Sequence, residues 1–190
     1  MKKLPIAIAL TFAFAAPAAL ADRGGDKIKA RLTGYEEVPA VSTAGKGEFE
    51  AKISRDEGLI EYELSYSGLQ GTVSQSHIHF AQKGVNGSIV LWLCQTPGTP
   101  APAAVAGITP QCPQSGTVTG TLTAANVIAA GTASQMILAG ELAEVVAAIR
   151  ARRAYVNVHS LPLTPGGEIR GQIGGDGRGH DRDDHRGHHH

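Results

Sequence analysis

Three histidines carry the chemistry this sequence offers. His77 and His79 stand two apart in Ser76-His77-Ile78-His79-Phe80, and His159 ends the run Ala154-Tyr155-Val156-Asn157-Val158-His159. A strand repeats every two residues, so His77 and His79 share one face while Ile78 and Phe80 take the other. In the second run Tyr155, Asn157 and His159 share a face, opposed by Val156 and Val158. If the two strands are neighbours, three imidazoles converge on one point. Neutral imidazole nitrogen binds copper, zinc, iron or nickel, and three such ligands leave a coordination position open. The same pattern also fits the polar outer face of any half-exposed antiparallel strand, because His-x-His alone discriminates weakly between the two.

The elements that must position these residues read as β structure. Residues 27–33 alternate Ile28, Ala30 and Leu32 with Lys27, Lys29 and Arg31, which makes a half-buried strand. Residues 48–53 set Phe49, Ala51 and Ile53 against Glu48, Glu50 and Lys52, and residues 59–66 place Ile60, Tyr62 and Leu64 on one face. The turn Arg55-Asp56-Glu57-Gly58 joins them, so the first half is a β-meander. After the first histidine strand, Lys83-Gly84-Val85-Asn86-Gly87 is a turn, and residues 88–93 are nearly all apolar, as in a central strand or one packed on both faces. Residues 116–123 alternate again, with Val118 and Leu122 against four threonines. Leu142, Val145, Val146 and Ile149 fall at helical spacing, so residues 141–152 form one amphipathic helix, and residues 124–139 have room for a further short one. The strand with His159 follows, then a turn at Thr164-Pro165-Gly166-Gly167, and residues 168–173 close the sheet. The expected fold is mainly β, a Greek-key antiparallel sandwich or barrel with one helix inserted before the penultimate strand.

Both ends of the chain differ from this domain. Residues 1–21 have Lys2 and Lys3, an apolar middle and Ala19-Leu20-Ala21, the layout of a secretory signal peptide. No cysteine follows the cleavage site, which argues against a lipoprotein anchor, and no membrane span is expected after processing. Without Lys2 and Lys3 the formal charge of the chain falls to −2, so charge gives no case for nucleic acid or an anionic membrane as partner. The domain is expected over 22–174, and residues 175–190 hold four Asp, three Arg and five His with no apolar residue, a composition that cannot bury surface. In that tail His180, His185, His188, His189 and His190 can gather metal loosely, unless the tail only solubilises or its last histidines are an addition.

Cys94 and Cys112 bracket a proline-rich loop over 94–113. In an exported protein they are expected to form a disulfide, worth about 3 kcal/mol for a loop of this size in the chain-entropy model. The localisation that follows is periplasmic or secreted.

Four motifs resemble the CHRD domain, which is named from chordin, the extracellular antagonist of bone morphogenetic proteins. They are Leu32-Thr33-Gly34 with Glu36-Glu37-Val38-Pro39, Ser76-His77-Ile78-His79, Ala154-Tyr155-Val156-Asn157-Val158-His159-Ser160, and Gly166-Gly167-Glu168-Ile169-Arg170-Gly171-Gln172-Ile173. The similarity runs over about residues 28–173 and implies a compact Greek-key β-sandwich or barrel. It carries over no activity and no ligand-binding residue. The order of elements is also similar to that of copper/zinc superoxide dismutases, which hold copper with a His-x-His strand and a later Val-Val-His strand. There His77, His79 and His159 occupy matching places. The remaining copper ligand, the zinc loop and a clear guiding arginine have no counterpart, although Arg170 lies nearby. That resemblance therefore implies a three-histidine copper site more than a full dismutase centre.

Three functions stay open on the sequence. One is an envelope metal-binding protein using His77, His79 and His159, with copper favoured and zinc the alternative. Another is an interaction or structural module that meets an extracytoplasmic protein and holds no metal. The last is a redox enzyme acting on superoxide or peroxide. No catalytic residues can be named, since no Gly-x-Ser-x-Gly elbow, P-loop or dinucleotide fingerprint is present. Asn157, Glu168 and Arg170 are expected to serve structural hydrogen bonds.

Overall fold

A computed structural model describes residues 25–175. The segment at 1–21 expected to be a signal peptide and the tail histidines His180, His185, His188, His189 and His190 lie outside the described residues. The alternating segments become strands: β1 (Asp26–Thr33), β2 (Lys46–Ile53), β3 (Ile60–Ser67), β4 (Thr72–Phe80), β5 (Ser88–Cys94), β6 (Gly116–Leu122), β7 (Ala154–Leu161), β8 (Thr164–Gln172) and the two-residue β9 (Gly174–Gly175). They form one sheet in the order β5-β4-β7-β8-β1-β2-β3-β6, with β9 beside β1, and all the strand pairings within it are antiparallel. The chain crosses between the two halves of this order after β3, β5 and β6. The outcome is the expected mainly antiparallel, barrel-like β fold.

One core fills it. Ile28, Ala30 and Leu32 point inward from β1, meeting Phe49, Ala51 and Ile53 of β2, Ile60, Tyr62 and Leu64 of β3, and Val118 and Leu122 of β6. The helix α2 (Leu142–Arg150) lays Leu142, Val145, Val146 and Ile149 into the same core, as its spacing predicts. Among the described residues no helix is long and apolar enough to cross a membrane.

Several local expectations are settled or changed. Of the two readings open for the apolar strand β5, central or packed on both faces, the second holds, since β5 ends the strand order. It is buried on both faces because the proline-rich loop folds over its outer side and packs Ala101 and Val105 on Trp92. That loop carries a short helix, α1 (Ala103–Ala106), and the Cys94–Cys112 disulfide, with Cα atoms 5.0 Å apart, ties its ends. Residues 124–139, with room for one more short helix, hold two single turns of 3-10 helix. The turn expected at residues 164–167 is strand instead. The chain reverses at Pro162 and Leu163, so that Ser160 pairs with Thr164 and their hydroxyls meet at 2.8 Å. Pro165 is accommodated there because the start of β8 pairs with β7 alone, and no ladder bond is lost on the other side.

Candidate metal centre

Ile78, Val156 and Val158 belong to the main core, so alternation puts His77, His79, Tyr155, Asn157 and His159 on the outer face of β4 and β7. The two strands are adjacent, with His77 opposite Asn157, His79 opposite Tyr155, and Gln75 opposite His159. An outer face would ordinarily be wet. Here it is roofed by loops, and His77, His79 and His159 are 0 %, 7 % and 6 % exposed.

Each piece of the roof has a specific attachment. Trp92 stands opposite His77 in the β4–β5 pairing and sets its ring 4.2 Å from His77 in an edge contact, with the proline-rich loop packed against it. The turn after β4 supplies the Gly87 carbonyl, 2.9 Å from Nδ1 of His79, and the Gly87 N–H, which donates to the Tyr155 hydroxyl at 3.3 Å. The same turn is gripped by Arg170, whose guanidinium donates to Asn86 Oδ1 at 3.0 Å and to the Val85 carbonyl. Past the β7–β8 reversal, the Pro165 carbonyl lies 2.8 Å from Nδ1 of His159. Tyr155 is the filling of a stack, with His79 parallel on it at 4.6 Å and the Arg170 guanidinium 3.4 Å from its ring centre.

The three imidazoles converge. One nitrogen from each lies within 4.8 Å of the other two. Three points so spaced lie within about 2.8 Å of a common centre, against the roughly 2.0–2.1 Å of an imidazole–zinc bond, so a modest turn of the rings closes the difference. The hydrogen bonds fix which nitrogens are free. A carbonyl can only accept, so His79 and His159 carry their protons on Nδ1 and leave Nε2 as a lone pair. Among the described residues, Nε2 of His159 has no hydrogen-bond partner. Nε2 of His79 faces Asn157 Oδ1 at 3.1 Å, two acceptors in contact unless the amide turns its NH2 inward or a cation comes between them. His77 is the extreme case, with neither ring nitrogen hydrogen-bonded to any described residue.

Burial decides the charge state. Desolvation pushes His77 well below the ordinary imidazole range, with His159 and His79 adding to it. Burial also takes His79 down to about 4, against the opposing pull of the Gly87 carbonyl. His159 is lowered by burial as well, with the Pro165 carbonyl acting the other way. At neutral pH the site presents three neutral imidazoles, the form that ligates metals.

A family model described as the CHRD domain matches residues 28–173, from the first core residue of β1 to the last residue before β9. The chain belongs to the CHRD family. No curated protein and no solved structure matches it.

In this CHRD domain, the sequence singled out the three histidines and made their convergence conditional on neighbouring strands, a condition the β4–β7 pairing meets, but it missed much of what surrounds them. Trp92 and Arg170 are both buried at the site, and so is Glu37, which sits in the loop after β1. Glu37 Oε1 has no hydrogen-bond partner, and a Cβ placed on Gly167 would lie 2.3 Å from it and 2.9 Å from Asn157 Nδ2. Only glycine fits between these groups, and the φ of +127° there is also one that L side chains rarely adopt. Burial pushes the Glu37 carboxyl up to about 7, although Arg170 and the Val38 N–H pull it down. A signal for Arg170 was present, since Glu168, Arg170 and Gln172 alternate along a strand expected near the His159 strand. Glu37 had none beyond its place in a family motif.

Glu168 lies elsewhere and is structural in character. Its carboxylate accepts from Thr43 Oγ1 at 2.6 Å, the Gln70 N–H at 2.7 Å, the Gly71 N–H at 3.4 Å and the Ser160 hydroxyl. Asn157 contacts His79 across the strands, and Arg170 bonds to a turn, not to a neighbouring strand.

Proposed function

We propose that this CHRD domain works outside the cytoplasm as a metal-binding protein, holding one transition-metal ion between His77, His79 and His159, with copper the favoured ion and zinc the alternative. The observation that carries this reading is the His77 ring, 0 % exposed with both nitrogens unpartnered, set against two further imidazoles whose nitrogens lie within 4.8 Å. A buried polar group left without a partner costs about 1–3 kcal/mol, so a ring placed this way calls for a ligand that repays it. The disulfide suits an oxidising compartment, in keeping with the export signal at 1–21 and with a periplasmic or secreted location. The tail histidines would act as an auxiliary collector.

The competing module reading would use these rings as a partner surface. Their enclosure beneath the loops speaks against that use. An enzymatic role on superoxide or peroxide would need a path for substrate through the same roof.

Trp92, the single tryptophan, gives the test, because its ring touches His77. A mature chain with the five tail histidines changed to alanine is titrated with Cu(II), Cu(I) and Zn(II), following bound metal by dialysis and Trp92 fluorescence. One ion per chain and quenching by copper are expected. Both should vanish when His77→Ala, His79→Ala and His159→Ala are added. Equal binding in the two proteins, or none in either, sinks the core site.

A further inference from the structure

The charge balance around the three imidazoles bears on which ion they take. An imidazole ligates a metal as the neutral ring, and His79 and His159 turn their Nδ1–H groups to backbone carbonyls, leaving Nε2 toward the cluster. Among the described residues, the group close enough to share an ion contains no carboxylate and no thiolate. The nearest fixed charge in the stack is a cation, the Arg170 guanidinium, separated from His79 by the thickness of the Tyr155 ring. Glu37 is not among the groups that could share the ion; its carboxyl lies beside Gly167 and Asn157, so it adds no anionic ligand to the three imidazoles.

An ion entering such a site must therefore shed its water with no anion to replace it. The Born cost of that transfer grows with the square of the charge, so a divalent ion pays about four times what a monovalent ion of like radius pays. Coordination number acts in the same direction. Zinc completes a tetrahedron and cupric copper takes four or more ligands, usually including water or a carboxylate, whereas a d10 monovalent ion is satisfied by three nitrogens. The unpartnered nitrogens of His77 and His159 expose less than 1 Å² each, so little water reaches the place where a fourth ligand would bind.

We infer that the centre selects the monovalent cation Cu(I) over Cu(II) and Zn(II). This rests on the reading of the cluster as a metal site and names the ion that site takes.

The test uses the full mature chain with its five tail histidines changed to alanine. Cu(I) affinity is measured anaerobically by competition with bicinchoninate, and Zn(II) and Cu(II) affinities by competition with nitrilotriacetate. The expected result is a Cu(I) dissociation constant lower than either divalent value by on the order of 100-fold. A second variant, Asn157→Asp, places a carboxylate beside Nε2 of His79, where Asn157 Oδ1 now lies at 3.1 Å. An added negative charge attracts a divalent ion twice as strongly as a monovalent one, so the Cu(I) preference should shrink by roughly 10-fold or more. Divalent ions binding as tightly as Cu(I) in the starting protein would overturn the inference while leaving the metal centre standing. So would an unchanged ratio in an Asn157→Asp protein whose Trp92 emission shows it folded. No response to any of the three ions would remove the metal reading itself.

Discussion

Glu168 and His77 are both 0 % exposed, and the two regions around them treat buried polarity in opposite ways. At the β7–β8 hairpin, four donors from three separate segments converge on one carboxylate. Burial alone would raise that carboxyl, yet the bonds from Ser160, Thr43 and the Gln70 and Gly71 N–H groups outweigh it and hold it below the ordinary value. Across the β4–β7 pair the protein instead buries an imidazole and gives it nothing. A saturated polar group ties segments together and has no capacity left for a ligand. An unsaturated one weakens the free fold and keeps that capacity.

The sharpest way to break this contrast is one substitution type at both places. Glu168→Leu removes the acceptor and strands four donors, and should cost about 3–5 kcal/mol, read as a lower urea midpoint. The loop carrying Thr43 and the segment at Gln70 and Gly71 should lose hydrogen-exchange protection first, since Glu168 is what they share. A cost below 1 kcal/mol would mean that water replaces the carboxylate and that the knot is not structural.

Next in size is the pH dependence of the metal-free protein. His77 and His79 are depressed by burial, the latter to about 4, and His159 is depressed as well. As pH falls below about 6.5 the unfolded chain takes up these protons and the folded chain does not, so stability is full above that pH and drops below it. Glu37 works the other way. Its carboxyl, raised to about 7, is protonated in the fold while still ionised in the unfolded chain, which favours the fold between its ordinary value and 7. The net difference near pH 5.5 is one to two protons, a loss of about 1.4–2.7 kcal/mol per pH unit. Denaturation midpoints at pH 7.5, 6.5 and 5.5 measure it. Removing Glu37 with Glu37→Gln should steepen the slope, and a flat profile would mean that the imidazoles already reach solvent.

How far this contrast could be read from the sequence follows from which faces are wet. Where Lys27, Lys29 and Arg31 alternate with Ile28, Ala30 and Leu32, one side meets water, and β1, β2, β3 and β6 were plain in the pattern. In β4, β5 and β7 both faces are buried, so the apolar run of β5 fitted a central strand as well as one packed on both faces, and only the structure shows that it ends the strand order. Period two put His77 with His79, and His159 with Asn157, but the neighbourhood of strands about 80 residues apart is a tertiary fact that alternation does not encode. The roof was hidden for the same reason, since Trp92 and the Pro165 carbonyl reach the site from paired strands and Glu37 and the Gly87 carbonyl from loops, all of them tertiary placements. Nothing local separates a histidine on an outer face from one on an outer face that loops have closed.

The smallest expected effect is the most telling, because its sign is unusual. His77→Leu replaces the orphaned ring with an apolar side chain of similar volume, so the metal-free protein should gain about 1 kcal/mol where most buried substitutions lose. In the parent, copper at 100 times its dissociation constant should add about 2.7 kcal/mol, and in the variant it should add none. The two midpoints would then cross, with the variant ahead without copper and the parent ahead with it. A variant that is less stable in both conditions would show that the ring already earns its place through its edge contact with Trp92 and its packing on His159. The orphaned nitrogens would in that case be the tolerated side of a packing solution, and the case for a ligand would fall back on the convergence of the three rings alone.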